Sequence, residues 1–467
     1  MVHTVYTQYP LNMTLLLPML SVQVSAMLLP PRAAGLPFLG DTLKLLSPKT
    51  MASYQVDRAK AYGPLWRTSL LFQDAVVVTG TNELSELAKE EGRKPMTAFF
   101  PPQQKALFGP ASLLVNSGPQ HAKLRRLVGQ ALAPAAVEAY TATIDAAVEE
   151  CVERCVQHGG ECEEGVALAE EMRRFALRSG ALLLLGDGTE EEVTDLAADL
   201  TLWSKGLVAP PLFFLPWSTA ARAKRARRRI KARLEPLIAA ERAGAREDRG
   251  TELTRARSLL SRLANAQDDD GSMLDQDEVV DNLLTLLFAG SDTTASGLTS
   301  CLKELSFAPD VEARLRQACC GADDAANEAL DAFLAEVHRR NPPAPFQMRL
   351  VGEEDLVVSG YTLPAKSLVV YGYAGTLLAD ATAYPQPDAF DASRWMRPQV
   401  PNWAFGGGPR MCPGRALALA ESRALLKRLL GPRGMAWELI DGQNLQGRYD
   451  PGLFPVDRLR ARVTKTP

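Results

Sequence analysis

The chain has 467 residues, of which 46% are hydrophobic and 23% are charged, a composition that excludes a disordered chain and indicates a globular protein with a large core. The 52 basic and 55 acidic side chains give a formal net charge of −3, which excludes an overall attraction to nucleic acid or to anionic membranes. The seven cysteines are odd in number and unevenly spaced, so no disulfide framework is expected. Four of them are interpreted as small apolar side chains of the core: Cys151, Cys155, Cys319 and Cys320.

The N-terminal segment, residues 1–29, carries no charged side chain, and residues 11–29 form an apolar run almost long enough to cross a bilayer. Pro18 and Gln23 interrupt this run. The segment is therefore a candidate membrane anchor or targeting segment, and a cleaved targeting segment or a disordered tail is the alternative. The following PPRAAGLPFLGD cannot continue a helix, and a single globular domain is expected at residues 30–467.

The pattern along this domain changes from strand to helix and back. Residues 62–80 alternate and then become β-branched, which predicts a β-hairpin. Residues 82–340 show helical spacing almost throughout, interrupted by an apolar loop, APPLFFLPW, at residues 209–217. The basic stretch at residues 223–233 is either a solvated helix face or a contact for anionic lipid or an acidic partner. Strands and turns follow residue 341, so the sequence predicts a mainly α fold with a minor β region.

Residues 404–414 read AFGGGPRMCPG and place Cys412 two residues after Arg410, just before an amphipathic helix. A phosphate-binding glycine loop is excluded because Met411 interrupts the glycine spacing and no GK[ST] follows. A thiol at a helix N-terminus beside an arginine is expected to be a thiolate, and therefore a metal ligand or a nucleophile. No histidine lies nearby in the sequence to act as a base, and no further cysteine or histidine ligands for zinc are evident. A single axial thiolate on iron is the favoured interpretation.

The pattern Phe405-x-x-Gly408-x-Arg410-x-Cys412-x-Gly414 resembles the haem-binding loop of the cytochrome P450 monooxygenases. This resemblance implies that Cys412 is the axial ligand to the iron of haem b. It also implies that Phe405 packs beside the haem and that Arg410 reaches a haem propionate. Gly408 and Gly414 are expected to let the backbone turn tightly beneath the porphyrin.

A second motif, LLFAGSDTTAS at residues 286–296, lies inside a long apolar helix and is similar to the oxygen-activating element of the same family. The resemblance implies that Ala289 and Gly290 leave room over the haem. Thr293 is expected to donate a hydrogen bond to dioxygen while Asp292 relays protons through water, with a local loosening of the helix. A polar helix face is the alternative interpretation.

Two charged residues of AEVHRRNPP, Glu336 and Arg339, are spaced i,i+3 on one predicted helix. On a surface such a pair is ordinary and contributes only about 0.2–0.5 kcal/mol. With the following RNPP, however, it resembles the ExxR element of the family. That resemblance implies a buried network with a third member, Arg394, from the FDASRW stretch.

His121 and Arg125 in GPQHAKLRRLV are spaced i,i+4 and therefore share one helix face. The resemblance implies that both bind a haem propionate and that Arg349, after the ExxR region, is a further propionate ligand. Surface cations are the alternative for all three.

The resemblance implies a haem-dependent monooxygenase that inserts one oxygen atom from O2 into an apolar substrate, with electrons from NAD(P)H delivered by a reductase or ferredoxin. Residues 30–46 and 108–127 look most like the retinoid- and sterol-oxidising branch, which implies a sterol-, retinoid-, carotenoid- or other terpenoid-like substrate. The expected pocket residues are Phe99, Phe100, Leu113, Leu114, Phe288 and Ala289. The expected basic patch for the electron donor comprises Lys123, Arg126, Arg423 and Lys427.

Two other functions stay open at this point. A haem-thiolate isomerase or dehydratase would rearrange lipid hydroperoxides without a reductase, and a non-catalytic protein would only bind haem or lipid. Retention of Asp292 and Thr293 argues against the first of these. A membrane-associated enzyme is expected, at the endoplasmic reticulum with its catalytic domain in the cytosol or alternatively in a plastid, with no nucleic-acid partner.

Overall fold

The computed structural model describes residues 28–36, 38–161, 164–186, 188–244, 258–321, 323–397 and 400–466. The N-terminal segment predicted as an anchor or targeting segment lies outside this part of the chain, apart from Leu28 and Leu29. Within the described ranges, no helix combines the length and the apolarity needed to cross a bilayer.

Helices dominate the described residues and confirm the predicted fold class, mainly α with a minor β region. The first ten are α1 Thr42–Leu45, α2 Met51–Tyr62, α3 Thr81–Arg93, α4 Pro102–Phe108, α5 Gly118–Ala131, α6 Pro134–Ala139, α7 Thr141–Glu161, α8 Leu168–Leu185, α9 Glu190–Leu207 and α10 Thr219–Arg242. The others are α11 Leu259–Ala264, α12 Gln276–Phe307, α13 Pro309–Cys319, α14 Asp323–Arg340, α15 Tyr373–Ala379 and α16 Arg415–Leu430. Short 3-10 helices lie at Ala392–Met396, Trp403–Phe405 and Gly408–Arg410.

The strands are β1 Leu65–Leu70, β2 Gln73–Val78, β3 Met96–Ala98, β4 Val166–Ala167, β5 Gln347–Val351, β6 Leu356–Val358, β7 Tyr361–Leu363, β8 Leu368–Tyr371, β9 Met435–Leu439, β10 Gly447–Tyr449, β11 Leu453–Pro455 and β12 Arg460–Lys465. The largest sheet has the order β1-β2-β8-β5-β3, and a three-stranded sheet has the order β4-β12-β9. β1 and β2 pair antiparallel from Leu65↔Val78 to Leu70↔Gln73, which confirms the predicted hairpin.

The 32-residue helix α12 runs through the core and carries the second sequence motif. Its start is fixed by a capping box, in which Asp275 Oδ1 accepts the Glu278 amide at 2.7 Å and Glu278 Oε2 accepts the Asp275 amide at 2.8 Å. Most of its side chains are buried, and it packs extensively against α8. A helix buried on most faces holds its few polar residues in fixed positions.

The sequence predicted only strands and turns between residue 341 and the cysteine loop, but the structure has a helix there, α15. α15 follows β8 directly, and its residues Tyr373 to Leu377 are buried. Its Gly375 amide donates to Gln55 Oε1 of α2 at 3.1 Å. A segment of seven residues is too short to show helical spacing, so tertiary packing determines this helix.

The cysteine predictions are only partly confirmed. Cys151 and Cys155 of α7 are buried, and Cys319 is partly buried. The prediction for Cys320 is wrong, because this residue is exposed at the C-cap of α13. Adjacent residues at a helix end point in different directions, so one core contact cannot enclose both thiols.

Candidate active site

The loop that carries Cys412 lies between α15 and α16. Gly408 has a φ of +61°, which glycine adopts without strain, and a Cβ there would lie 2.8 Å from the Cβ of Ala88 in α3. The predicted tight turn is therefore present at Gly408. The chain also turns at Gly414, the N-cap of α16, but with a φ of −86° that other residues adopt as well, and the nearest atom to a Cβ there outside its chain neighbours would be Cys412 Sγ, at 4.0 Å.

The backbone of Cys412 is fixed within this loop, because its amide donates to the Phe405 carbonyl at 2.8 Å. Burial raises the pKa of the thiol, and the amides of Gly414 and Arg415 and the charge of Arg125 lower it by less. The protein groups alone therefore do not lower the pKa of Cys412 below its usual value. A bound metal ion would supply the missing stabilisation, since coordination removes the proton from a cysteine ligand.

Three arginines, Arg125, Arg349 and Arg410, and the imidazole of His121 lie near the loop, and all but Arg125 are largely withdrawn from water. The pKa of Arg410 is lowered to about 10 by burial and by Arg349, and the pKa of His121 is lowered to about 4 by burial and by Arg410 and Arg125. Arg125 has no hydrogen-bond or ion-pair partner among the described residues. These mutual effects show that the structure brings the predicted propionate ligands together, with excess positive charge.

Glu91 of α3 is the anionic member of this cluster, and no sequence pattern indicated this residue. Its Oε1 lies 2.8 Å from Arg349 Nε and 3.5 Å from Arg410 Nε. Arg410 Nη2 also donates to the Asn116 carbonyl at 2.7 Å. The other terminal nitrogens of Arg349 donate to the Met348 carbonyl and the Gln347 side chain, so protein groups already use that guanidinium.

Three residues of the second motif are exposed in the middle of the buried helix α12: Ala289, Gly290 and Thr293. No described atom lies within 4 Å of the place where a Cβ of Gly290 would be. The Thr293 hydroxyl donates to the Ala289 carbonyl at 2.5 Å. The predicted loosening of the helix is wrong, because α12 is continuous through this point and the hydroxyl bonds back onto an intact turn.

Asp292 projects from α12 toward α8, where its Oδ1 lies 3.5 Å from Arg173 Nε. Burial raises the pKa of Asp292 to about 6, although Arg173 opposes the shift. Arg173 also donates to the Asp450 carbonyl, and its guanidinium lies 4.0 Å from the Phe454 ring centroid. Sequence analysis missed Arg173, whose separation from Asp292 in the chain hides the contact.

Glu336 is the centre of a fully buried network in which each carboxylate oxygen accepts hydrogen bonds. Arg339 donates to both oxygens, at 2.8 and 2.9 Å, and Arg394 Nε donates at 3.1 Å. The Trp395 indole at 2.9 Å and the Asp391 amide at 3.0 Å complete the set. Burial alone would raise the pKa of Glu336, but these donors hold it below its usual value.

An aromatic group covers α12 on the side of the predicted pocket. The Phe108 ring lies 5.4 Å from Phe288, 5.8 Å from Trp203 and 6.0 Å from Phe100, between centroids. Leu113 and Leu114 belong to the same hydrophobic cluster. Phe99 does not, because it packs against a separate cluster that includes Trp66 and Leu70.

The predicted basic patch is neutralised by acidic neighbours. Arg126 makes an ion pair with Asp268 at 2.6 Å, and Arg423 makes one with Asp331 at 2.7 Å. Lys123 Nζ lies 3.8 Å from Glu278. Cations that are already paired attract an acidic partner far less than free cations do. Lys123, Arg126 and Arg423 therefore do not form a patch of free cations.

Comparison with known proteins gives concordant matches along most of the chain. A family model described as Cytochrome P450 matches residues 30–440. A Synechocystis sp. protein that carries the name cytochrome P450 120 is 28% identical over 451 residues, covering 93% of this chain and 96% of the relative. Abscisic acid 8'-hydroxylase 2 of Arabidopsis thaliana is 27% identical over 454 residues, covering 93% and 90%. A solved structure described as retinoic acid bound cyanobacterial CYP120A1 has a TM-score of 0.80 and 27% identity, covering 94% of this chain and 100% of that one.

The residues of this site fit a haem with a cysteine thiolate ligand. Cys412 supplies a sulfur donor, Arg125 and Arg410 supply positive charge for carboxylates, His121 supplies a neutral imidazole beside them, and α12 leaves open space at Gly290. The family model covers far more than half of the chain. The chain therefore belongs to the cytochrome P450 family, and it is a haem-dependent monooxygenase that inserts one oxygen atom from O2 into an apolar substrate.

Proposed function

We propose that Cys412 is the axial ligand of haem b and that the substrate is a terpenoid-like molecule of the sterol, retinoid or carotenoid type. The three arginines beside the Cys412 loop support the first part, because Glu91 alone pairs with them among the described acidic residues and Arg125 has no partner there, which leaves positive charge for an anionic group to bind. The second part is supported by relatives named for abscisic acid and a solved structure named for retinoic acid. The wall formed by Phe108, Trp203 and Phe288 suits an apolar ligand.

The experiment for this proposal is a spin-state titration of the purified holoenzyme with retinoic acid, abscisic acid and a steroid. A terpenoid acid is expected to shift the Soret band in a saturable way. Absence of a shift with every terpenoid, while a fatty acid gives one, would contradict the substrate class. A reduced carbon-monoxide spectrum of the same sample tests the thiolate separately.

When bound, the haem supplies the oxygen-activating chemistry, and the thiolate donates electron density that favours cleavage of the O–O bond. The chain provides positions for the other participants. His121, Arg125 and Arg410 are proposed to hold the propionates, with Arg349 contributing through its charge. Ala289 and Gly290 would keep the space over the haem free of large side chains, and the Thr293 hydroxyl, which donates to the Ala289 carbonyl in this structure, would turn to donate to dioxygen.

Asp292 is proposed to deliver protons from a water-accessible cavity. A cavity of about 700 Å³ lies between α8, α9 and α12, with Asp292, Glu150, Glu170 and Arg154 among its lining residues. A carboxyl with a pKa of about 6 both takes up and releases protons near neutral pH, which suits a relay. Arg173 holds this carboxyl toward the cavity.

Replacing Asp292 by asparagine is expected to lower kcat by about 100-fold, because the amide cannot transfer a proton. The wild-type kcat is expected to change with an inflection near pH 6, and the variant is expected to lack that inflection. Asp450→Asn is the matched control, since Asp450 also lies beside Arg173 but belongs to another segment. If Asp450→Asn lowers kcat as much as Asp292→Asn does, the effect belongs to Arg173 and the relay role of Asp292 is wrong.

Electrons are proposed to come from NAD(P)H through a reductase or ferredoxin. Turnover that requires such a partner supports this, whereas rearrangement of a lipid hydroperoxide without any partner would favour the isomerase instead. The relatives named as hydroxylases support oxygen insertion. Because Arg126 and Arg423 are already paired, the docking face is not assigned to the predicted patch.

The catalytic domain is proposed to begin near residue 30 and to associate with membranes, at the endoplasmic reticulum or in a plastid. The apolar loop before α10 supports association, because Phe214 and Trp217 are 76% and 74% exposed. Arg222, Lys224 and Arg228 are exposed on the helix that follows. Aromatic side chains next to cations are typical of a surface that contacts anionic lipid.

The full-length variant Phe214→Ser/Trp217→Ser is expected to bind phosphatidylglycerol-containing vesicles at least about tenfold more weakly than the wild type, because two apolar side chains no longer enter the lipid. Vesicle co-sedimentation measures the bound fraction. Val357→Ser/Met396→Ser removes exposed apolar side chains elsewhere and should bind normally. Equal binding by all three proteins would exclude the loop as a lipid contact.

A further inference from the structure

A buried histidine lies between α12 and the loop that carries Cys412. His338 belongs to α14 and is only 6% exposed. Its imidazole meets the Phe405 ring edge-on, with centroids 5.2 Å apart and an interplanar angle of 85°. On the α12 side, a Cβ built on Gly297 would lie 2.8 Å from His338 Nε2. The imidazole of His338 therefore lies against both α12 and the loop that carries Cys412.

The chemistry of this position is unusual for a protein core. Burial lowers the pKa of His338 to about 4, so the imidazole is neutral at pH 7. Its Nδ1 is buried and has no hydrogen-bond partner in the described part of the chain. An unpaired buried nitrogen opposes folding, whereas a leucine of similar volume would fill the space without that cost. Packing alone gives no reason for a histidine here.

Phe405, the contact of His338, is a central residue of the cysteine loop. Its carbonyl accepts the Cys412 amide at 2.8 Å. Its ring faces the guanidinium of Arg415, 5.8 Å from the centroid, and the Arg415 amide is one of the groups that lower the pKa of Cys412. A displacement of Phe405 would therefore move hydrogen-bond donors relative to the sulfur.

We infer that His338 is a positioning residue for the cysteine thiolate, because its ring edge fixes Phe405 and couples the cysteine loop to α12. The α12 contact, Gly297, lies four residues after Thr293, about one helical turn. This role requires the rigid edge of an aromatic ring against Phe405. Burial of the unpaired Nδ1 of His338 is the free-energy cost of that contact. This inference rests on the proposed role of Cys412 as the haem ligand.

The test compares the wild-type holoenzyme with His338→Leu and His338→Phe. In the reduced carbon-monoxide complex, His338→Leu is expected to convert from the thiolate-type to the thiol-type Soret absorbance about 10-fold faster than the wild type, as is typical when a group that orients a metal ligand is lost. His338→Phe keeps an aromatic edge against Phe405 and is expected to restore a conversion rate near that of the wild type. The reduction potential of the haem is measured on the same samples.

Phe333→Leu is the matched control, because Phe333 is also buried in α14 but its ring contacts that of Phe390. It is expected to convert at the wild-type rate even where it lowers thermal stability. A wild-type rate and potential in His338→Leu would overturn the inference while leaving Cys412 as the ligand. If His338→Leu does not retain haem, His338→Phe provides the test. A conversion rate of His338→Phe about 10-fold above that of the wild type would then overturn the inference. A wild-type protein without the thiolate-type absorbance would overturn the proposed function and this inference together.

Discussion

Replacing Glu336 by alanine is expected to yield protein that is unfolded or free of haem. The carboxylate of Glu336 pairs with Arg339 and Arg394, and the side chain of Glu336 is not exposed at all. Removal of one partner leaves buried guanidinium groups without compensation, which typically costs about 3–5 kcal/mol. That is a large part of the free energy of unfolding of an ordinary domain. Haem content per chain and urea unfolding measure the effect.

The control for this prediction is Asp331→Ala in the same helix. Asp331 pairs with Arg423 at 2.7 Å, but its side chain is 48% exposed. Such a pair contributes at most about 1 kcal/mol. Normal haem content in Glu336→Ala would defeat the prediction, and equal losses in both variants would show that α14 tolerates no charge change.

The pH dependence of the network follows from the lowered pKa of Glu336. A carboxyl whose pKa is lower in the folded than in the unfolded state stabilises the folded state at neutral pH. That contribution is lost as the pH falls through the folded-state pKa, below the ordinary glutamate range. Acid unfolding of the holoenzyme is therefore expected to release haem in the same transition.

Sequence analysis located the parts of the site that are contiguous in the chain. The cysteine loop, the α12 motif and the pair Glu336–Arg339 each lie within a dozen residues, so each could be identified by its resemblance to a short motif of the family. Arg394 was found because its stretch resembles a known element of the family. Partners that are distant in the chain could not be predicted in this way, because nothing in the sequence near Arg349 or Asp292 indicates Glu91 or Arg173.

Two of the remaining differences have physical causes that local patterns do not contain. The pKa of Cys412 depends on burial by the whole fold, which outweighs the helix N-terminus recognised in the sequence. The basic patch fails because acids from other segments reach Lys123, Arg126 and Arg423. In these two cases a local prediction was altered by groups brought in by tertiary structure. The difference at Thr293 is local, because α12 is intact there and the hydroxyl donates to the Ala289 carbonyl of the same helix.

The replacement of Cys412 by serine is expected to have the largest effect on activity. Serine keeps the loop geometry, because the amide that donates to Phe405 is retained, but a hydroxyl is a much weaker donor to iron than a thiolate. Turnover should fall by more than about 100-fold, beyond the loss typical of an outer-shell change. The reduced carbon-monoxide complex should also lose its thiolate-type absorbance.

Cys320→Ser is the matched control for this variant, because it removes an exposed thiol from α13's C-cap and should leave both the spectrum and turnover unchanged. Circular dichroism of Cys412→Ser should stay close to that of the wild type, since the loop keeps its backbone hydrogen bond. Retention of the thiolate-type absorbance in Cys412→Ser would mean that another cysteine binds the iron. The raised pKa of Cys412 adds a second measurement. In haem-free wild-type protein, this thiol should react slowly with iodoacetamide near pH 7. The reason is that little of the thiol is in the reactive thiolate form until a metal ion removes the proton.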